Sequence, residues 1–428
     1  MRFHLFKEVR ALIISEKVFF KDTSIVFSGK VVIALLALVV TPILTRLYNP
    51  QAYGEFTLFN SIIQNMVILG TLALPSAVNV AKKEHLSKIL KLAIFIIFSI
   101  SILMTLGLIT ICNTVSEHFE YADFLRQYWY LIPIGFMVTS LALTYKSLQL
   151  RLRAFSLTTK IGVTEAFAAK GINLYNGYIN LGGLGLILSD IIAKVISSVL
   201  LIYKLPKHYL GLNAFGLADL KSTLKQFEHY PMFVMPAQWV SILSTQLILW
   251  YIAFHFSAND LGKYSVALAL LNIPLFILSN SFQPVITQKL VSARDGIDDQ
   301  FSIKSLLIIM GLITFLVFGG LLLIPANWFV IFLGTHWQGI GIMFKILCVW
   351  YLVLFIDQSI NNGFLVFDKQ RQKLYLNLVD LALQVGLLTF AFIFPVALIN
   401  FIAFFVVLKV IASLARIIYI KHANGYLN

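Results

Sequence analysis

Two lysines lie inside long apolar segments, where a charged side chain is costly and therefore informative. Lys194 lies in LSDIIAKVISSVLLIYKL and Lys409 lies in VVLKVIASLARIIYI, and each is followed by Val-Ile and two small residues. A lysine at the centre of a membrane helix costs about 2.5–3.5 kcal/mol and usually faces a wet cavity or the interior of a bundle. An ammonium group binds phosphate as a point charge. The repeated pattern therefore indicates a site for an anionic ligand.

Three further cations complete the predicted site. Lys170 lies in the polar segment IGVTEAFAAKGINLYNGYI, where Asn173 and Asn176 are three residues apart and share a helical face. We expect that face to line water, with Lys170 at its border. Lys30 and Arg46 lie near opposite ends of the first predicted span. The sequence thus predicts a cationic, substrate-binding cavity inside the membrane.

Each of these cations also has a simpler interpretation. Asp190 lies four residues before Lys194, the spacing of an ion pair within one helix. Phe405 occupies the corresponding position before Lys409, so the alternative for Lys409 is that its side chain extends to the membrane surface. Arg46 is also placed to act as an ordinary interfacial anchor.

Four carboxylates inside predicted spans are candidates for proton or sodium coupling, because a buried carboxylate can take up and release a proton near neutral pH. They are Glu165, Asp190, Asp357 and Asp380. Asp357 has no basic residue four positions away on either side, which makes it the favoured candidate. Glu165 and Asp380 lie near predicted cytoplasmic ends, where ion pairs with basic loops are the alternative.

Composition identifies an all-α integral membrane protein. Hydrophobic residues make up 59% of the 428 residues and charged residues only 12%, against about 25% charged in soluble domains. Repeated apolar runs of about 20 residues can each cross a ~30 Å hydrocarbon core. We predict twelve spans, at 25–45, 57–78, 90–112, 128–148, 161–179, 184–203, 231–254, 264–286, 305–325, 340–363, 374–395 and 397–419.

The same composition argues against several kinds of site. Two cysteines and eight scattered histidines provide no disulfide framework and no metal motif. No catalytic residue, metal or resident cofactor is predicted. The net charge of +14 comes without an aromatic-basic binding module, so it indicates basic cytoplasmic loops and contact with membrane lipids rather than nucleic acid.

Lysine and arginine alternate sharply between successive loops. The set that contains both termini holds 26 of the 33 basic residues, whereas the opposite set holds Arg46, Arg126 and Lys263. Basic loops stay in the cytoplasm, and an even number of spans independently places both termini on one side. We therefore predict a multi-pass protein of the cytoplasmic membrane with both termini inside.

The two halves of the chain repeat one another. A shift of 215 residues superimposes Lys194 on Lys409 and Glu165 on Asp380, and a shift of 208 superimposes Gly54 on Gly262. Six spans per copy give two parallel repeats. We predict two six-helix lobes around a central cavity, an N-lobe of residues 1–215 and a C-lobe of residues 216–428.

Prolines in the second and eighth predicted spans are candidate hinges for movement of the lobes, and a static kink is the alternative for each. These residues are Pro75, Pro274 and Pro284.

Two segments resemble a known family. The segment TPILTRLYNPQAYGEFTLFNSI and its second-half counterpart LGKYSVALALLNIPLF resemble the polysaccharide repeat-unit (O-antigen type) flippases of the multidrug/oligosaccharidyl-lipid/polysaccharide exporter superfamily. The resemblance implies a flippase, not an enzyme, of the bacterial inner membrane. It implies a cargo of undecaprenyl-pyrophosphate-linked oligosaccharide, moved to the outer leaflet by alternating access during O-antigen or capsule synthesis. A polymerase and chain-length proteins are the implied partners, and a monomer is expected because the cavity forms within one chain.

Two other functions remain open from the residues. A cation-coupled drug exporter of the same superfamily is one, although a lysine-rich interior suits cationic drugs poorly. A membrane-embedded polysaccharide polymerase or glycosyltransferase is the other, although the short outer loops offer little room for a catalytic site.

The charge pattern yields a direct test of orientation. A green fluorescent protein fused to the C-terminus should fluoresce, because that terminus is predicted to lie in the cytoplasm. Alkaline phosphatase inserted near Arg126 should be active, because that loop is predicted to lie outside. Fluorescence and phosphatase activity in the opposite combination would reverse the topology.

Overall fold

The computed structural model describes residues 2–114, 122–206, 209, 216–294, 303–367 and 369–423. All regular secondary structure within these residues is helical. The chain divides into two compact units. Unit 1 comprises Met1–Val40 and Glu55–Gln246, and unit 2 comprises Thr41–Gly54 and Leu247–Asn428. The predicted lobe boundary near residue 215 stays a prediction.

The first part of the chain forms nine α-helices. They are α1 (Arg2–Leu47), α2 (Pro50–Thr71), α3 (Leu74–Val80), α4 (Leu86–Thr114), α5 (Ala122–Tyr128), α6 (Leu131–Arg151), α7 (Phe155–Tyr178), α8 (Gly182–Tyr203) and α9 (Leu217–Gln226), counted over the described residues. A 3₁₀ turn at Lys83–His85 precedes α4.

The remaining described part forms a second series of nine. They are α10 (Met235–His255), α11 (Ala258–Arg294), α12 (Ile303–Thr314), α13 (Gly320–Leu322), α14 (Ala326–Leu333), α15 (Ile340–Ile360), α16 (Gly363–Val366), α17 (Gln370–Ile393) and α18 (Leu398–Ala423). A π-turn at Tyr230–Val234 precedes α10, another at Phe315–Gly319 joins α12 to α13, and a 3₁₀ turn at Thr335–Trp337 follows α14.

Ten helices among the described residues are long and apolar enough to cross a membrane, and the bent pair α2–α3 would make eleven. Each coincides with one of the predicted spans. The remaining predicted span, 161–179, coincides with α7, which is 24 residues long but too polar to be counted with the others. The protein is therefore a multi-pass membrane protein, and the twelfth span stays a prediction.

A break separates α2 from α3 in unit 1. Leu72 and Ala73 both adopt left-handed backbone angles, with φ of 52° and 55°, and the two helices meet at 62°. Pro75 is buried in the first turn of α3, where its missing N–H leaves no hydrogen bond unmade. The predicted hinge at Pro75 therefore lies beside a sharp change in helix direction.

The other two candidate hinges lie in α11, which runs without interruption from Ala258 to Arg294. Pro274 is one of them, and the side chain of Pro284 lies outside the described residues. A hinge role for either proline stays a prediction.

Glu55 ties α2 to two other helices of unit 1. Its carboxylate accepts a hydrogen bond of 2.7 Å from the Tyr128 hydroxyl, and it packs on Gly183, where a Cβ would overlap the carboxylate. Glu55 thereby joins α2 to α5 through Tyr128 and to α8 through Gly183.

Unit 2 contains a close crossing of α2 and α11. Gly54 lies against the carbonyl of Ala258, and Gly262 lies against the carbonyl of Pro50. Each glycine is the fifth residue of its helix and contacts the first residue of the other helix. A Cβ at either glycine would overlap the opposing backbone. The crossing explains why the two sequence repeats both keep glycine at this position.

The end of α1 is also held within unit 2. The Trp337 indole donates a hydrogen bond of 2.7 Å to the Thr45 carbonyl, and the Tyr53 ring packs edge-on against the same indole. Trp337 is fully buried. These contacts fix the α1–α2 turn, which positions Gly54 at the crossing.

We predict that Gly54→Val lowers the free energy of unfolding by about 1–3 kcal/mol or more, because the valine side chain must displace the α11 backbone. Thermal unfolding of the purified protein in detergent measures the change. Gly107→Val is the matched control, because Gly107 is also a helix residue but has open space around it. Equal stability of the two variants would contradict the close crossing.

Candidate functional site

Lys194 forms an ion pair within α8. Its Nζ atom lies 2.6 Å from Asp190 Oδ2, and the two side chains are 19% and 26% exposed. The ion pair suggested by the four-residue spacing is therefore confirmed. The pair lies on α8, which also contributes apolar residues to the core of unit 1, including Ile187 and Ile191.

The two asparagines of α7 do not line water, and the prediction from the sequence that they do is wrong. Asn173 and Asn176 are buried. The Asn176 side chain donates hydrogen bonds of 3.0 Å to the Gly185 carbonyl and to the Ser189 hydroxyl of α8. Helical periodicity correctly placed both asparagines on one buried face, and Gly185 and Ser189 of α8 accept the hydrogen bonds of the Asn176 amide.

Lys170 and Glu165 lie on the rest of α7. Both side chains are half-buried, and within the described part of the chain neither makes a hydrogen bond or an ion pair. Lys170 is therefore an ammonium group on α7 whose counter-ion is not supplied by any described residue. An anionic ligand can provide that charge.

Lys409 does have a partner, contrary to the expectation from sequence. Its Nζ atom lies 3.0 Å and 3.3 Å from the two carboxylate oxygens of Asp380 on α17. Both side chains are about nine-tenths buried. Four-residue spacing can reveal only a carboxylate on the same helix, whereas the partner of Lys409 comes from the preceding helix, α17.

Asp357 is also paired, although no basic residue lies four positions from it. Arg416 of α18 donates from Nε and Nη2 to both Asp357 oxygens, at distances of 2.6–3.0 Å. This forked contact is the strongest arrangement for an arginine and a carboxylate. Asp357 is therefore not the isolated carboxylate that the sequence suggested.

Arg416 is not among the cations predicted from the sequence for the site. Its position near the C-terminus assigned it to the cytoplasmic charges. A signal was available, because Arg416 lies seven residues after Lys409, which is two turns along the same face of a helix.

Arg416 joins the two ion pairs of unit 2 into one network. Its Nη1 atom lies 3.7 Å from Asp380 Oδ2, so the guanidinium group lies between both carboxylates. The two positive charges of Lys409 and Arg416 balance the two negative charges of Asp357 and Asp380. Lys373, one turn inside α17, interacts electrostatically with Asp357 and Arg416 and adds a further positive charge. We call these residues the unit 2 charge network: Asp357, Lys373, Asp380, Lys409 and Arg416.

The two repeats neutralise their lysines differently. Asp380 corresponds to Glu165 under the shift that superimposes Lys194 on Lys409. In unit 2 that acid, on the preceding helix, holds the lysine, whereas in unit 1 the lysine is held by Asp190 on its own helix. Glu165 is consequently left without the role that its counterpart has.

The two cations of α1 belong to different units. Lys30 lies half-buried in unit 1. Arg46 lies in unit 2, where its guanidinium group donates a hydrogen bond of 2.9 Å to the Ile331 carbonyl at the end of α14. This contact joins the end of α1 to α14 within unit 2. The predicted role of Lys30 and Arg46 in binding substrate stays a prediction.

No group of three or more metal-ligating side chains occurs within the described residues.

Comparisons with known proteins give the fold and the family. A structure of a multidrug resistance MATE family transporter of the MOP superfamily, in an inward-facing conformation, superimposes with a TM-score of 0.64 and 14% identity over 94% of each chain. A MOP superfamily transporter from Pyrococcus furiosus, in which reversed polarity of the binding pocket suggests a different function, gives 0.61 and 12% over 95% of each chain.

A Vibrio cholerae MATE transporter superimposes with a TM-score of 0.53 and 16% identity, over 96% of this chain and 97% of the other. At such identities these similarities establish the fold. No curated protein matches the sequence. The model of the polysaccharide biosynthesis protein family matches residues 43–341, which is more than half of the chain. The protein therefore belongs to the polysaccharide biosynthesis protein family and has the fold of MOP-superfamily transporters.

Proposed function

We propose that the protein is a flippase for a polyprenyl-pyrophosphate-linked oligosaccharide repeat unit in surface polysaccharide synthesis. The observation that carries the proposal is that one chain combines a polysaccharide biosynthesis family match with a transporter fold. Such a fold moves a solute across the bilayer by alternating access. The proposed location is the bacterial inner membrane with both termini in the cytoplasm, and the proposed partners are a polymerase and chain-length proteins.

The pyrophosphate of this cargo requires positive charge inside the membrane. Lys170 is suited to this role because its ammonium group has no counter-ion among the described residues. Lys194 and Lys409 are balanced by Asp190 and Asp380. A pyrophosphate would bind them by replacing those carboxylates as counter-ion. Lys170 of unit 1 is thus available as it stands, whereas Lys194 of unit 1 and Lys409 of unit 2 would each become available by exchange.

This exchange supplies a reason for ion coupling. When a phosphate oxygen replaces Asp190 at Lys194, the carboxylate remains in a poorly solvated region without a counter-ion. Such a group is strongly destabilised until it takes up a proton or a sodium ion. Cargo binding would then be linked to cation uptake. Glu165, which has no described partner, is the other carboxylate of unit 1 proposed to couple.

We predict that Lys170→Ala reduces surface polysaccharide display at least about ten-fold, because a lost charge-assisted contact is worth about 1.5–3 kcal/mol. The measurement is immunodetection of the polysaccharide in a deletion strain that carries the variant, normalised to protein in the membrane. Lys345→Ala is the matched control, since Lys345 is also half-buried in a membrane helix but lies outside the proposed site. Display equal to that of the control would refute the role of Lys170.

The unit 2 charge network generates a second prediction. Asp357→Asn should destabilise the protein by about 3–5 kcal/mol, because it leaves the buried Arg416 without its main counter-ion. The double variant Asp357→Asn with Arg416→Gln should recover most of that loss, because the charge is removed in pairs. Glu84→Gln, at an exposed ion pair with His85, should change stability little. Thermal unfolding in detergent measures all three, and no recovery in the double variant would exclude the proposed pairing.

A further inference from the structure

Uncharged polar side chains join α10 to α2 and α3 within unit 1. Gln246 donates to Gln64 at 3.0 Å, and Gln238 donates to the Ser76 hydroxyl at 3.1 Å. Between them, the Trp239 indole donates to the Asn65 amide oxygen at 3.2 Å. We call this set the amide–indole ladder: Gln64, Asn65, Ser76, Gln238, Trp239 and Gln246.

Asn65 fixes the orientation of the indole. Its Nδ2 atom donates a hydrogen bond of 2.9 Å to the Ser61 carbonyl one turn earlier, which leaves the amide oxygen directed at Trp239. Asn65 is 2% exposed, whereas Trp239 is only half-buried. The ladder thus holds an aromatic ring in a defined position with part of its surface accessible.

The two glutamines leave one donor and one acceptor unused. Gln246 is 6% exposed, and its Oε1 atom is buried without a hydrogen-bond partner. Gln64 is exposed, and its Nε2 atom makes no hydrogen bond to any described residue. A hydroxyl group can donate to the first and accept from the second at the same time.

An exposed glutamine in a membrane helix indicates contact with water or a polar ligand, because an amide facing lipid is costly. The ladder itself carries no charge, so it offers little attraction to a pyrophosphate. Amides with unused hydrogen-bonding groups beside an accessible aromatic ring suit a ligand with many hydroxyl groups and apolar ring faces. Saccharides have these properties.

We propose that the amide–indole ladder binds the saccharide portion of the cargo. A sugar hydroxyl bridges Gln246 Oε1 and Gln64 Nε2, and a sugar ring packs on the Trp239 indole. This inference rests on the proposed function and deepens it, because it assigns sugar recognition to uncharged groups that are separate from the cations.

The test is direct binding to the full-length protein in lipid nanodiscs. Two probes are compared: undecaprenyl pyrophosphate without sugar, and the lipid-linked oligosaccharide extracted from the host. The wild-type protein should bind the sugar-bearing probe more tightly. Gln64→Leu and Gln246→Leu should each reduce that preference about five-fold, as expected for one lost hydrogen bond. Affinity for the sugar-free probe should not change.

Two further variants sharpen the comparison. Trp239→Phe keeps an aromatic face and should retain most of the preference, whereas Trp239→Leu should lose it. Thr245→Ala is the matched control beside Gln246, because the Thr245 hydroxyl is satisfied by the Ile242 carbonyl of its own helix. The preference of Thr245→Ala for the sugar-bearing probe should equal that of the wild type. Gln64 is exposed, so Gln64→Leu remains informative if Gln246→Leu does not fold.

The outcomes separate this inference from the proposed function. An unchanged preference in Gln64→Leu and Trp239→Leu, with the sugar-free probe still bound, would overturn saccharide binding at the ladder and leave the flippase proposal standing. Equal weakening of both probes would make the ladder a packing contact between helices and also overturn the inference. Failure of the wild-type protein to bind either probe would overturn both proposals.

Discussion

The need to neutralise charge in an apolar interior governs the arrangement of this protein. A buried ion that loses its partner destabilises a protein by several kcal/mol, so each buried cation requires a carboxylate or a ligand. Unit 2 meets this requirement by pairing Lys409 and Arg416 with Asp380 and Asp357. Unit 1 meets it for Lys194 through Asp190. Lys170 has no such partner among the described residues, and this difference makes it the most informative cation of the chain.

The same constraint separates structural charges from those that can act on a cargo. The Arg416 guanidinium group of α18 contributes to packing of these helices, because it pairs with Asp357 of α15 and with Asp380 of α17. A more exposed pair on a single helix, such as Asp190 and Lys194, can exchange partners with less disruption. On the proposed function, binding of pyrophosphate belongs to the exchangeable cations and recognition of sugar belongs to the amide–indole ladder. Charged and uncharged parts of one amphiphilic cargo would then meet different side chains.

The structure explains the two matches between the sequence repeats differently. Gly54 and Gly262 match because they form a symmetric backbone crossing, in which each glycine leaves room for the opposite helix. Lys194 and Lys409 match in position, yet their carboxylates differ, since one comes from the same helix and the other from a neighbouring helix. Backbone contacts therefore preserve the repeat more strictly than the charge pairs do, because a carboxylate on either helix can neutralise a lysine.

The sequence by itself determined the helical membrane class and the positions of ten to eleven spans, and it offered the ion pair between Asp190 and Lys194 as an alternative, because hydropathy and four-residue spacing are local properties. It failed for Asp357 and Asp380, which were judged by their neighbours in sequence, whereas their partners Arg416 and Lys409 lie 59 and 29 residues away. It also assigned Asn176 to water instead of to α8. Only the tertiary structure decided these cases, because helical periodicity defines which residues share a face but not which helix packs against it.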